Sequence, residues 1–188
     1  QAKEGIPDDL GTAVTVQAMV FGNRGSDSGT GVVFTRDPAT GEATLYGDIL
    51  FDAQGEDVVA GTHATEPIAA LANRLPAIDS ELRAHARRLE YHFADMCDIE
   101  FTIEDARLWM LQVRVGKRSP QAALRIAADM AEDPDFPLDR AAAVERVRSH
   151  LANPPVAATV RSSFVLPLVT GLPASPGAAS GPIATDPE

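Results

Sequence analysis

The sequence predicts an α+β domain, an antiparallel sheet with packed helices, followed by a helical linker segment. Residues 14–22, 29–36 and 43–51 are β-type runs rich in Val, Thr, Phe and Leu. Residues 66–74 and 77–97 carry helical patterns, and residues 98–115 return to a period of two. Antiparallel strands with helices gathered on one side make an α+β layer arrangement.

The first strands are bounded by turn chemistry. Residues 22–31, GNRGSDSGTG, contain no G-x-x-x-x-G-K-[ST] signature, because no Lys follows the glycines and no helix opens there. They read as a hairpin loop whose glycines allow tight turns. Residues 36–41, RDPATG, place Pro and Gly to reverse the chain between the second and third strands. Gln54-Gly55-Glu56-Asp57 follows the third strand, which sets Glu56 at a strand-edge turn. An acidic side chain there either bonds nearby backbone or faces a ligand. Gln17 is a weaker polar candidate, since alternation along a strand accounts for it. In 77–97, Ile78, Leu82, His85, Leu89, Phe93 and Met96 recur at spacings of three and four, the mark of one buried helical stripe.

Residues 98–114, DIEFTIEDARLWMLQVR, are the most informative segment. Ile99, Phe101 and Ile103 alternate with Asp98, Glu100, Thr102 and Glu104; Trp109, Leu111, Val113 and Val115 alternate with Met110, Gln112 and Arg114. A three-residue loop, Asp105-Ala106-Arg107, sets Glu104 opposite Leu108, Glu100 opposite Gln112 and Asp98 opposite Arg114. A two-residue loop would pair Glu100 with Leu111 and put the apolar faces out of step, so register favours the longer loop. Asp98, Glu100, Gln112 and Arg114 are then expected on one face, with Ile99, Phe101, Trp109 and Leu111 buried behind. Two carboxylates, an amide and a guanidinium suit a metal–phosphate group. Magnesium takes one or two carboxylates plus substrate phosphates, and an arginine neutralises phosphate through two parallel hydrogen bonds. An ordinary amphipathic hairpin with a solvated outer face gives the same alternation, and the pattern alone does not separate the two.

From Gly116 the character changes. Residues 119–132 and 138–151 are alanine-rich helical segments separated by DPDFP, which stops the first; Asp135 or Asp139 would begin the second. Asn153-Pro154-Pro155 and the sparsely patterned stretch to Thr170 read as linker. The divisions expected are therefore 1–115, 116–170 and 171–188.

Composition bounds the function. At 188 residues there is room for one ordinary domain or one domain plus appendages. The net charge of −11 argues against a nucleic-acid partner, which would favour a basic face, yet leaves room for a nucleotide held by local basic groups and a metal. One cysteine, Cys97, excludes an internal disulfide and fits a reducing cytoplasm; it reads as a small buried residue. No apolar run approaches the roughly 20 residues of a membrane span. With Gln1 in place of a Met, the chain reads as an excised piece of something longer.

DMCDIEF followed by LWMLQVR closely resembles the end of the nucleotide-binding domain in the pyruvate, phosphate dikinase family of phosphoenolpyruvate-utilising enzymes. The likeness extends through VQAMVFGNRGSDSGTGVVFTRDPATGE (16–42), LYGDILFDAQGEDVVAG (45–61), GKRSPQAALRIAADM (116–130) and GLPASPGAASG (171–181). It implies the carboxy-terminal part of an ATP-grasp domain in 1–115, a helical linker in 116–170, and the opening of a swivelling phosphohistidine domain in 171–188. It further implies a parent that uses ATP and phosphate to phosphorylate a mobile histidine, then interconverts pyruvate and phosphoenolpyruvate. On this likeness Asp98, Glu100, Gln112, Arg114 and Glu56 contact ATP, Glu100 and Asp98 position Mg2+, and Glu100 is the direct metal ligand.

The family's carrier histidine sits in a threonine-serine-histidine-alanine motif, which His63, His85, His92 and His150 all lack, so no catalytic residue is expected in this chain. The opposite ATP-grasp lobe, the phosphohistidine domain and a pyruvate-binding barrel are the implied partners in a cytoplasmic parent, with no nucleic acid and no membrane. Half of an ATP clamp should leave the isolated chain inactive. Two alternatives stand beside this: a phosphoenolpyruvate synthase or other dikinase with a different acceptor, and a non-catalytic partner-binding module.

Overall fold

The computed structural model describes residues 14, 16–59 and 64–155. An antiparallel sheet of five strands runs in the order β3-β2-β1-β4-β5, from β1 (Gly29–Phe34), β2 (Tyr46–Phe51), β3 (Glu66–Pro67), β4 (Cys97–Glu104) and β5 (Arg107–Val115). Helices α1 (Gly55–Val59), α2 (Ala70–Arg74) and α3 (Pro76–Phe93) fall between the strands, and α4 (Pro120–Glu132), α5 (Arg140–Arg146) and α6 (Arg148–Ala152) follow them. The α+β expectation holds. No helix is long and apolar enough to cross a membrane among the described residues.

One face of the sheet is apolar because paired residues share a side. Val33 pairs with Ile99, Gly31 with Ile49 and Phe101, and Ile103 with Leu108. These residues bury against Leu71 of α2 and Ile78, Leu82 and Ala86 of α3. Gly31 is required there: a Cβ at that position would stand 2.7 Å from Cζ of Phe101 and 2.6 Å from the Asp48 carbonyl oxygen. The glycine-rich stretch is thus loop to Ser28 and strand beyond it.

The α3 stripe differs from the expected one. Ile78 and Leu82 are buried, but Ala86 completes the stripe; Phe93 is exposed, and Met96 lies past the helix end. Ala94, in the left-handed conformation, ends α3 before the chain turns into β4. The predicted segment 66–74 is a short strand followed by a five-residue helix. The predicted strand 14–22 carries no strand among its described residues. Val14, Val16 and Met19 are exposed, and no strand pairs with them among the described residues.

The helices after Gly116 make a second core at the rim where β1 ends and β4 begins. Met96, Ala122, Ile126, Met130, Phe136 and Val147 are buried together, with Phe34 packed against them. Ser119 caps α4 by accepting from the Ala122 amide at 3.0 Å, and its hydroxyl donates to the Ala39 carbonyl at 2.7 Å. Asp139, of the two acids considered, caps α5. The expected second helix is broken into α5 and α6 at Val147. Asp95 locks this unit down: Arg118 donates both terminal nitrogens to its carboxylate at 2.5 and 2.7 Å, and Arg146 lies 3.6 Å away while donating to the Ala94 carbonyl at 2.7 Å. The expected phosphohistidine-domain opening at 171–188 and the linker beyond Pro155 lie outside the described residues.

Candidate functional site

Each carboxylate of the hairpin reaches the sheet's second face through register. Asp98 pairs with Arg114, and Glu100 with Gln112, as the sequence led one to expect. The route to that register is different. Glu104 pairs with Arg107, so the tip is a two-residue turn of Asp105 and Ala106, with φ of 49° and 56°. Positive φ at both positions is the type I′ pattern that matches strand twist. The register then shifts between Glu100 and Phe101, where Leu111 is the extra residue of a β-bulge. The short turn and the bulge compensate each other.

That difference moves two side chains. Leu108 and Met110, rather than Trp109 and Leu111, stand on the core face opposite Ile103 and Phe101. Leu111 is 46% exposed. Trp109 joins Thr102 on the face of the carboxylates, with the Arg107 guanidinium 4.4 Å above its ring. The expected burial of Ile99 and Phe101 is observed.

Asp98 and Arg114 are the tightest pair on this face. Arg114 donates Nε to Oδ2 of Asp98 at 2.7 Å, while the guanidinium remains largely exposed. Oδ1 of Asp98 is buried and has no hydrogen-bond partner among the described residues. The bond to Asp98, then the charges of Asp98 and Glu100, raise the pKa of Arg114. The pairing turns a flexible side chain into an oriented one, with both terminal nitrogens left over among the described residues. Glu100 is half-buried beside it, and Gln112 is exposed on the edge strand, where it also borders a cleft beneath α3.

Glu56 is brought to the same side. It stands in the first turn of α1 rather than at a strand-edge turn, and α1 lies against β1. A Cβ on neighbouring Gly55 would be 3.9 Å from Oγ1 of Thr30, an outer-face residue paired with Thr102. Asp57 performs the local backbone work, accepting from the Gln54 amide at 2.9 Å, and leaves Glu56 exposed. Asp48 was missed by sequence reasoning. It pairs with Val32, which pairs with Glu100, so two strand spacings, about 10 Å, separate the two acids across the face. An acid at the centre of the run LYGDILF was the available signal.

Other candidates sort into scaffold. Glu104 accepts from the Phe21 amide at 3.2 Å and pairs with Arg24, which ties the glycine-rich loop to the hairpin tip. Cys97 is fully buried; burial first, then the charges of Glu90, Asp95 and Asp98, push its thiol up to about 12. His85 lies 3.5 Å from Glu81 on α3, and His92 is exposed near that helix's end. Gln17 is exposed, and His63 lies outside the described residues.

Residues 1–82 and 77–134 match the family described as pyruvate phosphate dikinase, AMP/ATP-binding domain. The chain belongs to this family. Its relatives include pyruvate, phosphate dikinase of Clostridium symbiosum, 47% identical over 181 residues, a match covering 95% of this chain and 20% of that protein. The chloroplastic pyruvate, phosphate dikinase of Flaveria pringlei is 48% identical over 182 residues, covering 92% of this chain and 18% of the relative. That of Rhizobium meliloti (strain 1021) is 46% identical over 195 residues, covering 95% and 21%. The chain spans about a fifth of the length of these relatives.

Proposed function

We propose that this chain supplies one lobe of the ATP site in a pyruvate, phosphate dikinase-like phosphotransferase. The parent phosphorylates a carrier histidine from ATP and phosphate, releasing AMP and diphosphate, and passes the phosphoryl group to pyruvate to give phosphoenolpyruvate. The observation that carries this reading is the cluster of Asp98, Glu100, Gln112 and Arg114 on one sheet face, in a chain of an AMP/ATP-binding family.

Phosphoryl transfer demands positioning and charge neutralisation more than covalent chemistry. Arg114, fixed through Nε by Asp98, offers its two remaining nitrogens to phosphate oxygens in parallel. Gln112 orients a phosphate oxygen or water beside it, and Glu56 approaches the sugar from α1. Magnesium would suit the donor set: Glu100 would hold it directly, with the Asp98 carboxylate as a second hard oxygen. Among the described residues no three His, Cys, Asp or Glu side chains gather as a complete metal cage, so substrate phosphate and water would have to supply the other oxygens. When bound, the ion offsets phosphate charge. A single lobe would hold the nucleotide without closure, so incubation of the isolated chain with labelled ATP should give neither hydrolysis nor a phosphorylated histidine.

The test uses the full-length parent carrying Glu100→Gln, which keeps size and removes charge. ATP-driven histidine phosphorylation should fall at least tenfold, while exchange between phosphohistidine and pyruvate, which takes place elsewhere, is spared. An equal fall in both half-reactions would mean that the hairpin is scaffold.

A further inference from the structure

The chain carries a surplus of acid, yet α3 presents a basic ridge. Arg83, Arg87, Arg88 and His92 are all exposed along the helix. By contrast, Arg36, Arg114, Arg118 and Arg146 pair with carboxylates, and Arg74 and Arg107 lie over Phe51 and Trp109. Arg83 is held by Asp79 at 2.8 Å. Arg87 and Arg88 are exposed and make no ion pair within 4 Å among the described residues. The nearby acid, Asp133, accepts from the Tyr91 hydroxyl at 3.1 Å.

Folding does not account for this arrangement. Arg83 and Arg87 are four residues apart, a like-charge spacing that disfavours a helix by a few tenths of a kcal/mol. The helix dipole rewards cations within the last turn, where His92 lies, and fades before Arg87 and Arg88. On the other flank of Arg88 a cleft of roughly 430 Å³ runs between α3 and the edge strand β5, walled by Leu89, Met110, Leu111 and Val113. Cations therefore stand directly beside an apolar wall.

We propose that the α3 ridge and its flanking cleft dock an acidic, amphipathic polypeptide segment of a partner protein. Its carboxylates meet Arg87 and Arg88, and its apolar side chains lie on Leu111 and Met110. A nucleic acid fits less well. It would meet the long-range repulsion of a chain of charge −11 and would leave the apolar wall unused.

The probe is a fluorescein-labelled peptide of repeated Glu-Leu-Asp, titrated into the folded chain and followed by anisotropy and by amide chemical shifts. Binding should weaken with added salt, fall at least tenfold for Arg87→Glu/Arg88→Glu, and recover with Lys at both positions. Shifts should cluster on α3 and on Met110, Leu111 and Val113. The proposal is overturned by shifts that map to the face of Glu100, by equal affinity for a Gln-Leu-Asn peptide, or by unchanged affinity in the reversed variant. Tighter binding of single-stranded RNA than of the peptide would likewise overturn it.

Discussion

At the scale of single residues, two side chains carry separable predictions. Asp98 is an anion beside an expected phosphate, and simple repulsion would make its removal favourable. Because Asp98 both holds Arg114 and would offer an oxygen to the metal, Asp98→Asn should weaken Mg–ATP binding in the full-length parent about tenfold, or about 1.4 kcal/mol. Isothermal titration decides, and tighter binding would reject the orienting role. Cys97 gives the second test. Its folded pKa is raised from 9.0 to about 12 by burial and neighbouring carboxylates. A thiol alkylating reagent at pH 8 should therefore leave it unmodified until denaturant is added. Because the raised group keeps its proton longer in the folded state, its share of stability is intact below pH 9 and lost as the pH climbs towards 12. The urea midpoint of wild type relative to Cys97→Ala should fall across that window and stay level below it.

At the scale of elements, the hairpin shows what could be read from the chain and what could not. The pairings of Asp98 with Arg114 and Glu100 with Gln112 were legible because a buried face fixes register near Ile99. The tip was not. Two irregularities that cancel leave no trace in the distant pairs, and Asp105-Ala106 lacks the glycine that normally announces a type I′ turn. The contacts that hold this turn are far away in sequence: the amides of Asp105 and Ala106 donate to Ser28 Oγ and the Asp27 carbonyl, both at about 3 Å. The α3 stripe was misread for a related reason, since alanine at position 86 signals nothing until Val33 and Ile99 stand opposite. Ala106→Gly should relieve a left-handed non-glycine residue and raise stability by about 1 kcal/mol in chemical denaturation. Gly31→Val should do the reverse. With Phe101 and a backbone carbonyl already in the way, a loss of about 3 kcal/mol or more is expected, and a smaller loss would mean that the ring swings aside cheaply.

At the scale of the whole molecule, the sheet and the helices after Gly116 have separate cores joined by a charged seam. Asp95 is 6% exposed and serves Arg118 and Arg146, while Glu90 accepts from Thr35 at 2.6 Å and from Arg36 at 3.0 Å. No sequence pattern announced this seam, because its members lie on α3, the β4 lead-in, the α4 lead-in and α5. Asp95→Ala leaves Arg118 buried without its partner and should cost about 3–5 kcal/mol. Hydrogen exchange should accelerate in α4 and α5 more than in β1 and β4; uniform acceleration would mean that the two cores unfold as one. The seam also responds to heat differently from the oily interiors it joins. Stripping water from buried ions becomes less costly on warming, while apolar burial levels off. Warming thus shifts the balance of adhesion towards the charges, and the helices should still cling to the sheet when its loops have begun to fray.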